Sequence, residues 1–294
     1  MKPVRKAPAR GPAAPPPPPP ELRPGQSIEL LQHLHLLTRD GKLNQDARRK
    51  LKQVDHLVQF IDKGLRELTP VDPALGPLLA DHGAGKSYLG FILYDLLFKA
   101  QGSGHIWGIE TRSELVQASQ ALAQRLGFAR MHFLNISAAD AARQAELPER
   151  FDVVTALHAC DTATDDAIAF GLAKQARHLV LVPCCQAEVA AVMRKHKALT
   201  LSRTPLAELW RHPLHTREFG SQITNVLRCL QLEAHGYSVI VTELVGWEHS
   251  MKNELILARR IDQDRQGTRQ RARQRLQQVL DELGLQELQT RFAV

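Results

Sequence analysis

The sequence predicts an α/β protein: a Rossmann-like doubly wound sheet, mostly parallel, with an antiparallel hairpin at one edge and extra helices at both chain ends. Three observations predict it. From about residue 75, short apolar runs alternate with segments of helical period. A glycine-rich turn joins the first run to the first of those segments, and the last two runs follow one another without an intervening helix. Buried strands separated by helices call for right-handed crossovers and a sheet covered on both faces.

Residues 1–25 form a proline-rich basic leader. The run Pro15 to Pro20 favours extended polyproline backbone with almost nothing to bury, so the segment reads as disordered. It carries five basic residues against one acidic residue, more than half of the net charge of +7. Residues 26–70 read as an N-terminal helical segment. Ala47, Leu51, Val54, Val58, Ile61 and Leu65 recur at steps of four and three, with Asn44 placed to cap the helix and Pro70 and Pro73 to end it.

Residues 71–260 hold the main domain. Strands are expected at Leu78–Asp81, Ile106–Glu110, Met131–Asn135, Val153–Leu157 and Leu179–Val182, and helices at Ser87–Lys99 and Ser113–Leu126. Residues 186–236 read as a long insertion plus a helix marked by Ile223, Val226, Leu227 and Leu230, on the side where a substrate would enter. Tyr237–Val245 and Glu254–Ala258 then form the edge pair. Residues 261–294 are an arginine-rich helix with a stripe of Leu276, Val279, Leu280 and Leu283.

Composition bounds the function. A chain of 294 residues with 44% hydrophobic and 23% charged residues can bury a core without staples. Its four cysteines, two of them adjacent, are too few for a disulfide scaffold and suit a reducing compartment, so a cytoplasmic location is expected. No apolar run reaches the roughly 20 residues that span a bilayer. No membrane partner is expected, and the oligomeric state is not legible.

The turn Ala80-Asp81-His82-Gly83-Ala84-Gly85-Lys86-Ser87 is the most informative stretch. A phosphate-binding P-loop would need glycine at Ala80, and a dinucleotide fingerprint would need glycine at Tyr88. What does fit is an acid at a strand end (Asp81), two glycines one residue apart (Gly83, Gly85), and an acid ending the next strand (Glu110). Such a carboxylate can accept both ribose hydroxyls of a nucleoside that lacks phosphates. This is the arrangement of S-adenosylmethionine-dependent methyltransferases. Asn135, ending the third strand, is a candidate for the adenine edge.

Two further constellations sit at strand ends, where crevices in such sheets open: His158-Ala159-Cys160-Asp161 and Pro183-Cys184-Cys185-Gln186. His158 and Asp161 are candidates for acceptor orientation or proton removal. No metal is expected, because a zinc deaminase needs glutamate at Cys160 and neighbouring cysteines seldom both reach one tetrahedral ion.

Together the glycine turn, His158-x-Cys160-x-x-Ala163-Thr164-Asp165 and Pro183-Cys184-Cys185 resemble the methyltransferase-like 25 proteins. They are also similar to the tRNA ribose 2′-O-methyltransferases that modify the acceptor stem. Arg49-Lys50-x-x-Gln53-Val54 and Ser250-x-Lys252-Asn253 resemble segments of the same families, so the resemblance runs from about 45 to 260. It implies S-adenosylmethionine as cofactor and RNA as substrate, tRNA included. It departs at Asp161, where relatives commonly have glycine, and at Gln186, where they have histidine or tyrosine. Lys50, Cys184, Cys185, Gln186 and Arg217 are the substrate-side candidates. The alternatives are a protein or small-molecule methyltransferase, a P-loop NTPase, and a non-catalytic RNA-binding adaptor.

Overall fold

A computed structural model describes residues 19–196, 203–245, 253–261 and 266–294. Most of the leader, Trp247–Ser250, Lys252 and Arg265 lie outside the described residues. Seven strands form one sheet in the order β3-β2-β1-β4-β5-β7-β6. These are β1 (Leu78–His82), β2 (His105–Glu110), β3 (Met131–Asn135), β4 (Val153–Leu157), β5 (His178–Val182), β6 (Tyr237–Glu243) and β7 (Glu254–Arg260). The first five run parallel, whereas β7 pairs antiparallel with both β5 and β6. The expected doubly wound sheet with an antiparallel edge is therefore the fold. Its order reverses direction between β1 and β4, which opens a crevice at the carboxyl ends of those strands.

Side-chain alternation builds two cores from one sheet. Leu79, Ile106, Val153, Val180 and Val182 face one side, while Leu78, Ala80, Val154, Ala156, Leu179 and Leu181 face the other. The first side is covered by α1 (Ile28–His33), α2 (Gln45–Arg66), α3 (Tyr88–Leu93) and α5 (Ser113–Arg125). Asn44 caps α2 as expected, its side-chain oxygen accepting from the Ala47 amide. The α1 and α2 leucines belong to the same core as the sheet, so residues 26–70 are packed into the domain.

Between β1 and β2 the expected single helix is interrupted. Ser87 adopts a left-handed backbone (φ 51°), α3 passes into a π turn at Tyr94–Phe98, and α4 (Lys99–Gln101) finishes the crossover. The π turn sits where Asp95 accepts the Ser27 amide (2.7 Å), fixing the start of α1.

The second side is covered by α6 (Ala138–Arg143), α7 (Ala163–Ala173) and part of the later helices. These are α8 (Glu188–His196), α9 (Pro213–Ala234) and α10 (Gln266–Glu282). They close a third core through Val189, Met193, Leu227, Leu230, Leu276, Leu280 and Phe292. The apolar stripe of residues 261–294 thus docks on α9. Much of the expected insertion is α9 itself, which already begins at Pro213, a residue suited to the first helical turn.

Candidate functional site

A crevice of about 400 Å³ opens at the carboxyl ends of β1, β2 and β4. Its walls come from His82 and Gly83 after β1, from Ile109 to Arg112 at the end of β2, from Ile136 to Ala138 after β3, and from His158 to Cys160 after β4. A larger hollow of about 680 Å³ lies beside β3, between Gln120 and Leu134, away from the strand ends that carry polar groups.

The glycine turn forms one side of the crevice. Gly83 and Gly85 both take left-handed backbone (φ 60° and 56°), and a Cβ on Gly83 would come within 3.3 Å of the Ala159 Cβ. Glu110 faces this turn, its carboxylate accepting from the Gly85 amide at 2.8 Å. The same carboxylate takes the Arg112 amide and, in bidentate fashion, the Arg112 guanidinium, each at 3.0 Å. Burial alone would raise this carboxyl, but the Arg112 side chain, the two amides and the guanidinium charge outweigh it and hold its pKa at about 2. Glu110 is therefore ionised and aimed into the turn.

Asp81 stands behind the turn rather than at its surface. It is 2% exposed and accepts from the Thr155 hydroxyl (2.7 Å) and the Gly90 amide, while burial pushes its pKa up to about 7. His82, on the crevice wall, is held neutral by burial, its pKa pushed down to about 3, and packs edge-on to Phe170. Asn135 donates to the carbonyls of Glu110 and Thr111 (3.2 and 2.7 Å). It thus fixes the β2 end, and the neighbouring Ile136 and Ser137 line the crevice instead.

Lys86 lines a separate hollow with His33, His35 and Arg125. Asp152 sits at the opposite, amino end of β4, where it accepts the Val71 and Leu78 amides (both 2.9 Å). The turn does not present the lysine and magnesium acid of a P-loop.

On the other side, the loops after β4 and β5 are knitted together. The His158 amide donates to the Val182 carbonyl (3.0 Å), and the Asp161 amide to the Cys185 carbonyl (2.6 Å). His158 and Asp161 both take left-handed backbone (φ 56° and 49°), a strained conformation for such residues. His158 is exposed at the wall, and desolvation lowers its pKa, so the imidazole is neutral at neutral pH. Asp161 is the other candidate for acceptor orientation or proton removal. Its carboxylate instead accepts the Ala187 and Glu188 amides (2.9 and 3.4 Å) at the start of α8, and so serves as a helix cap.

Cys160, Cys184 and Cys185 converge, with Sγ separations of 3.4 Å (Cys160–Cys184) and 3.5 Å (Cys184–Cys185). Adjacent Cys184 and Cys185 thus stand with Cys160, the loops after the paired strands β4 and β5 bringing the three thiols together. Burial, then the two neighbouring thiols, pushes the Cys184 thiol up to about 12.

Beneath these loops lies Arg228 of α9, with no exposed surface. It makes a bidentate pair with Asp165 (2.7 and 2.8 Å) and also donates to the Asp161 carbonyl and the Asn225 side chain. Gln186 is buried in the same network, donating to Asn225 (3.0 Å) and accepting from Ser221 (2.6 Å). The remaining substrate-side candidates stand apart from the crevice lining. Lys50 is exposed and paired with Asp46, and Arg217 is exposed and paired with Glu218. Two residues were not singled out in the sequence. Arg112 is two positions beyond Glu110, and Arg228 sits one residue past Leu227 on a buried polar row with Thr224, Asn225 and Gln231.

Residues 49–192 match a family model described as a methyltransferase domain. The matched span runs from within α2 into α8 and includes β1 to β5, among them the strands whose carboxyl ends form the crevice. No curated protein matches the sequence significantly. Among solved structures, the chain is similar to magnesium protoporphyrin IX methyltransferase from Synechocystis with bound SAH. That match has 18% identity, spans 79% of this chain and 95% of that one, and has a TM-score of 0.44. It is also similar to the SAH-bound Podospora anserina methyltransferase PaMTH1 (11% identity, 80% and 88% coverage, TM-score 0.45). A third similarity is to an rRNA methylase from Streptococcus thermophilus (9% identity, 70% and 96% coverage, TM-score 0.41). Likenesses this distant do not bear on substrate.

Two outcomes test this geometry. Arg228→Ala leaves Asp165 buried and unpaired, so stability falls by about 3–5 kcal/mol. Replacing both partners, as in Arg228→Met with Asp165→Leu, recovers most of it in urea denaturation, whereas equal loss in both variants would assign the effect to packing.

The second concerns pH. The unfolded chain ionises Asp81 near its ordinary value of 3.8, whereas the folded protein does so at about 7. Between these values the native state keeps a proton that the unfolded state has lost, so this residue's contribution to stability declines as pH rises. Asp81→Asn should gain on the wild type across pH 4 to 7 and level off above. A difference independent of pH would contradict the assignment.

Proposed function

We propose that the crevice binds S-adenosylmethionine and that the methyl acceptor is RNA. The observation that carries the first half is the Glu110 carboxylate, ionised at the end of β2 and facing the Gly85 amide across the turn. The Arg112 guanidinium now offers it two parallel donors, as two vicinal ribose hydroxyls would. Arg112 is 59% exposed on its side chain, and an ion pair with one so exposed partner is worth at most about 1 kcal/mol, so ribose can replace it.

When bound, the cofactor supplies a methyl group activated as a sulfonium. Gly83 and Gly85 let the backbone approach it closely, and Ile136 and Ser137 border the space beyond Glu110 for the base. Asp81 holds the turn from behind through Thr155 and Gly90. His158, neutral on the crevice wall, is the group placed to take a proton from an acceptor hydroxyl. Asp161 keeps His158 in place by fixing its loop to α8.

RNA is favoured by charge. The chain carries a net +7, and Arg271 and Arg273 stand exposed on α10. Arg291, from the same C-terminal segment, reaches Asp166 on the crevice wall (3.4 Å), which brings that segment to the crevice mouth. Four cysteines in 294 residues, two of them adjacent, fit a reducing compartment such as the cytoplasm.

Calorimetric titration with S-adenosylhomocysteine should show binding, weakened at least tenfold in Glu110→Ala, with no response to ATP. Binding of ATP alone would overturn the cofactor assignment. Incubating the protein with tritiated S-adenosylmethionine and total RNA from cells lacking its gene should place label in RNA. Label appearing only in protein or metabolites would reject the acceptor class.

A further inference from the structure

We propose that Cys160, Cys184 and Cys185 form a three-thiolate binding site for a soft divalent cation, zinc by its chemistry, on the wall of the methyl-donor crevice. The three Sγ atoms all lie within 4.8 Å of one another. Thiolates around a tetrahedral zinc, each about 2.3 Å from the ion, sit about 3.8 Å apart. The observed separations of 3.4 and 3.5 Å fall a few tenths of an ångström short of that spacing, so the ion enters with a small outward shift of the sulfurs. A disulfide would require the sulfurs to close to about 2.05 Å, a far larger movement.

Two features hold this arrangement. The backbone on either side of Cys160 is turned into the left-handed region at His158 and Asp161, which projects its thiol toward the β5 loop. That turn is fastened by the Asp161 amide on the Cys185 carbonyl and by Arg228 on the Asp161 carbonyl. Left-handed backbone at a non-glycine residue persists where its surroundings hold it.

Thiolate ligands select zinc over magnesium or calcium. Three protein ligands leave a tetrahedral ion one further position, the pattern of zinc sites that bind a substrate atom or water. Cys160 itself lines the crevice, so the site borders the space where the acceptor would lie. Metal binding stands on the thiols alone; only its use in holding an acceptor rests on the methyltransferase reading.

The test uses the full chain, reduced and stripped of metal. Zinc is titrated against a competing chromophoric chelator, and cobalt(II) is added separately to read thiolate-to-metal charge-transfer absorption. One equivalent of zinc should bind, and cobalt should give the thiolate band. Cys160→Ser, which alters the exposed member, should weaken zinc at least tenfold and diminish the band, as should Cys184→Ser and Cys185→Ser. Cys229→Ser, remote from the cluster, should change neither. Zinc binding that is absent, or equal in wild type and the Cys160→Ser variant, would overturn the site.

Titration with S-adenosylhomocysteine on the same samples reports folding and separates the two proposals. Nucleoside binding without zinc binding rejects the metal site alone. Zinc binding without nucleoside binding rejects the cofactor assignment alone.

Discussion

A guanidinium with no exposed surface must find its counter-charge inside the protein, and Arg228 finds it in Asp165. This pair joins two helices and, through the guanidinium's other donors, the loop after β4. Arg228 belongs to α9, Asp165 to the first turn of α7, and the guanidinium's remaining donors reach the Asp161 carbonyl and Asn225. Through Asn225 the network continues to Gln186 and Glu254, which ties it to the β5 loop and to the antiparallel strand β7. The position of the thiol-bearing loops is thereby set from below, by charge satisfaction rather than by apolar packing. The opposite wall is organised by a second charge, the Glu110 carboxylate, which is satisfied by amides and by an exposed arginine. One wall is locked and the other is exchangeable, a useful division for a site that must release one ligand and admit another.

The same contrast separates the carboxylates. Asp81 and Glu110 both end neighbouring parallel strands, yet their surroundings drive them apart. Asp81 has one hydroxyl, one amide and no cation, so burial dominates and its pKa rises to about 7. Glu110 has a guanidinium and two amides, which overcome burial and lower its pKa to about 2. The first is suited to brace a turn, the second to grip hydroxyl groups.

The sheet was highly legible in the sequence because its central strands β1, β4 and β5 are buried on both faces and read as apolar runs. Met131–Asn135 and Val153–Leu157 stand where those runs placed them. β7 continues past Ala258 to Arg260, where arginines continue the ladder that the apolar run had left. The first crossover helix was read as continuous, since neither the left-handed Ser87 nor the π turn after α3 leaves a mark on hydrophobic period. The glycine turn and Glu110 were legible as a local pattern of residue types at strand ends. The thiol cluster was not, because its convergence depends on the register of β4 with β5 and on the cap that Asp161 supplies to α8. Arg228 lies on a buried helix face that it shares with Thr224, Asn225 and Gln231, a polar row that hydrophobic period does not register.

The match over residues 49–192 takes in the strands whose ends form the crevice. The central claim is narrower: one carboxylate trades an arginine for a ribose. A crystal structure of the protein soaked with S-adenosylhomocysteine tests it most directly. The account predicts both ribose hydroxyls on the Glu110 carboxylate, with the Arg112 guanidinium turned out to solvent. A bound nucleoside elsewhere in the molecule, with the Glu110–Arg112 pair intact, would contradict it.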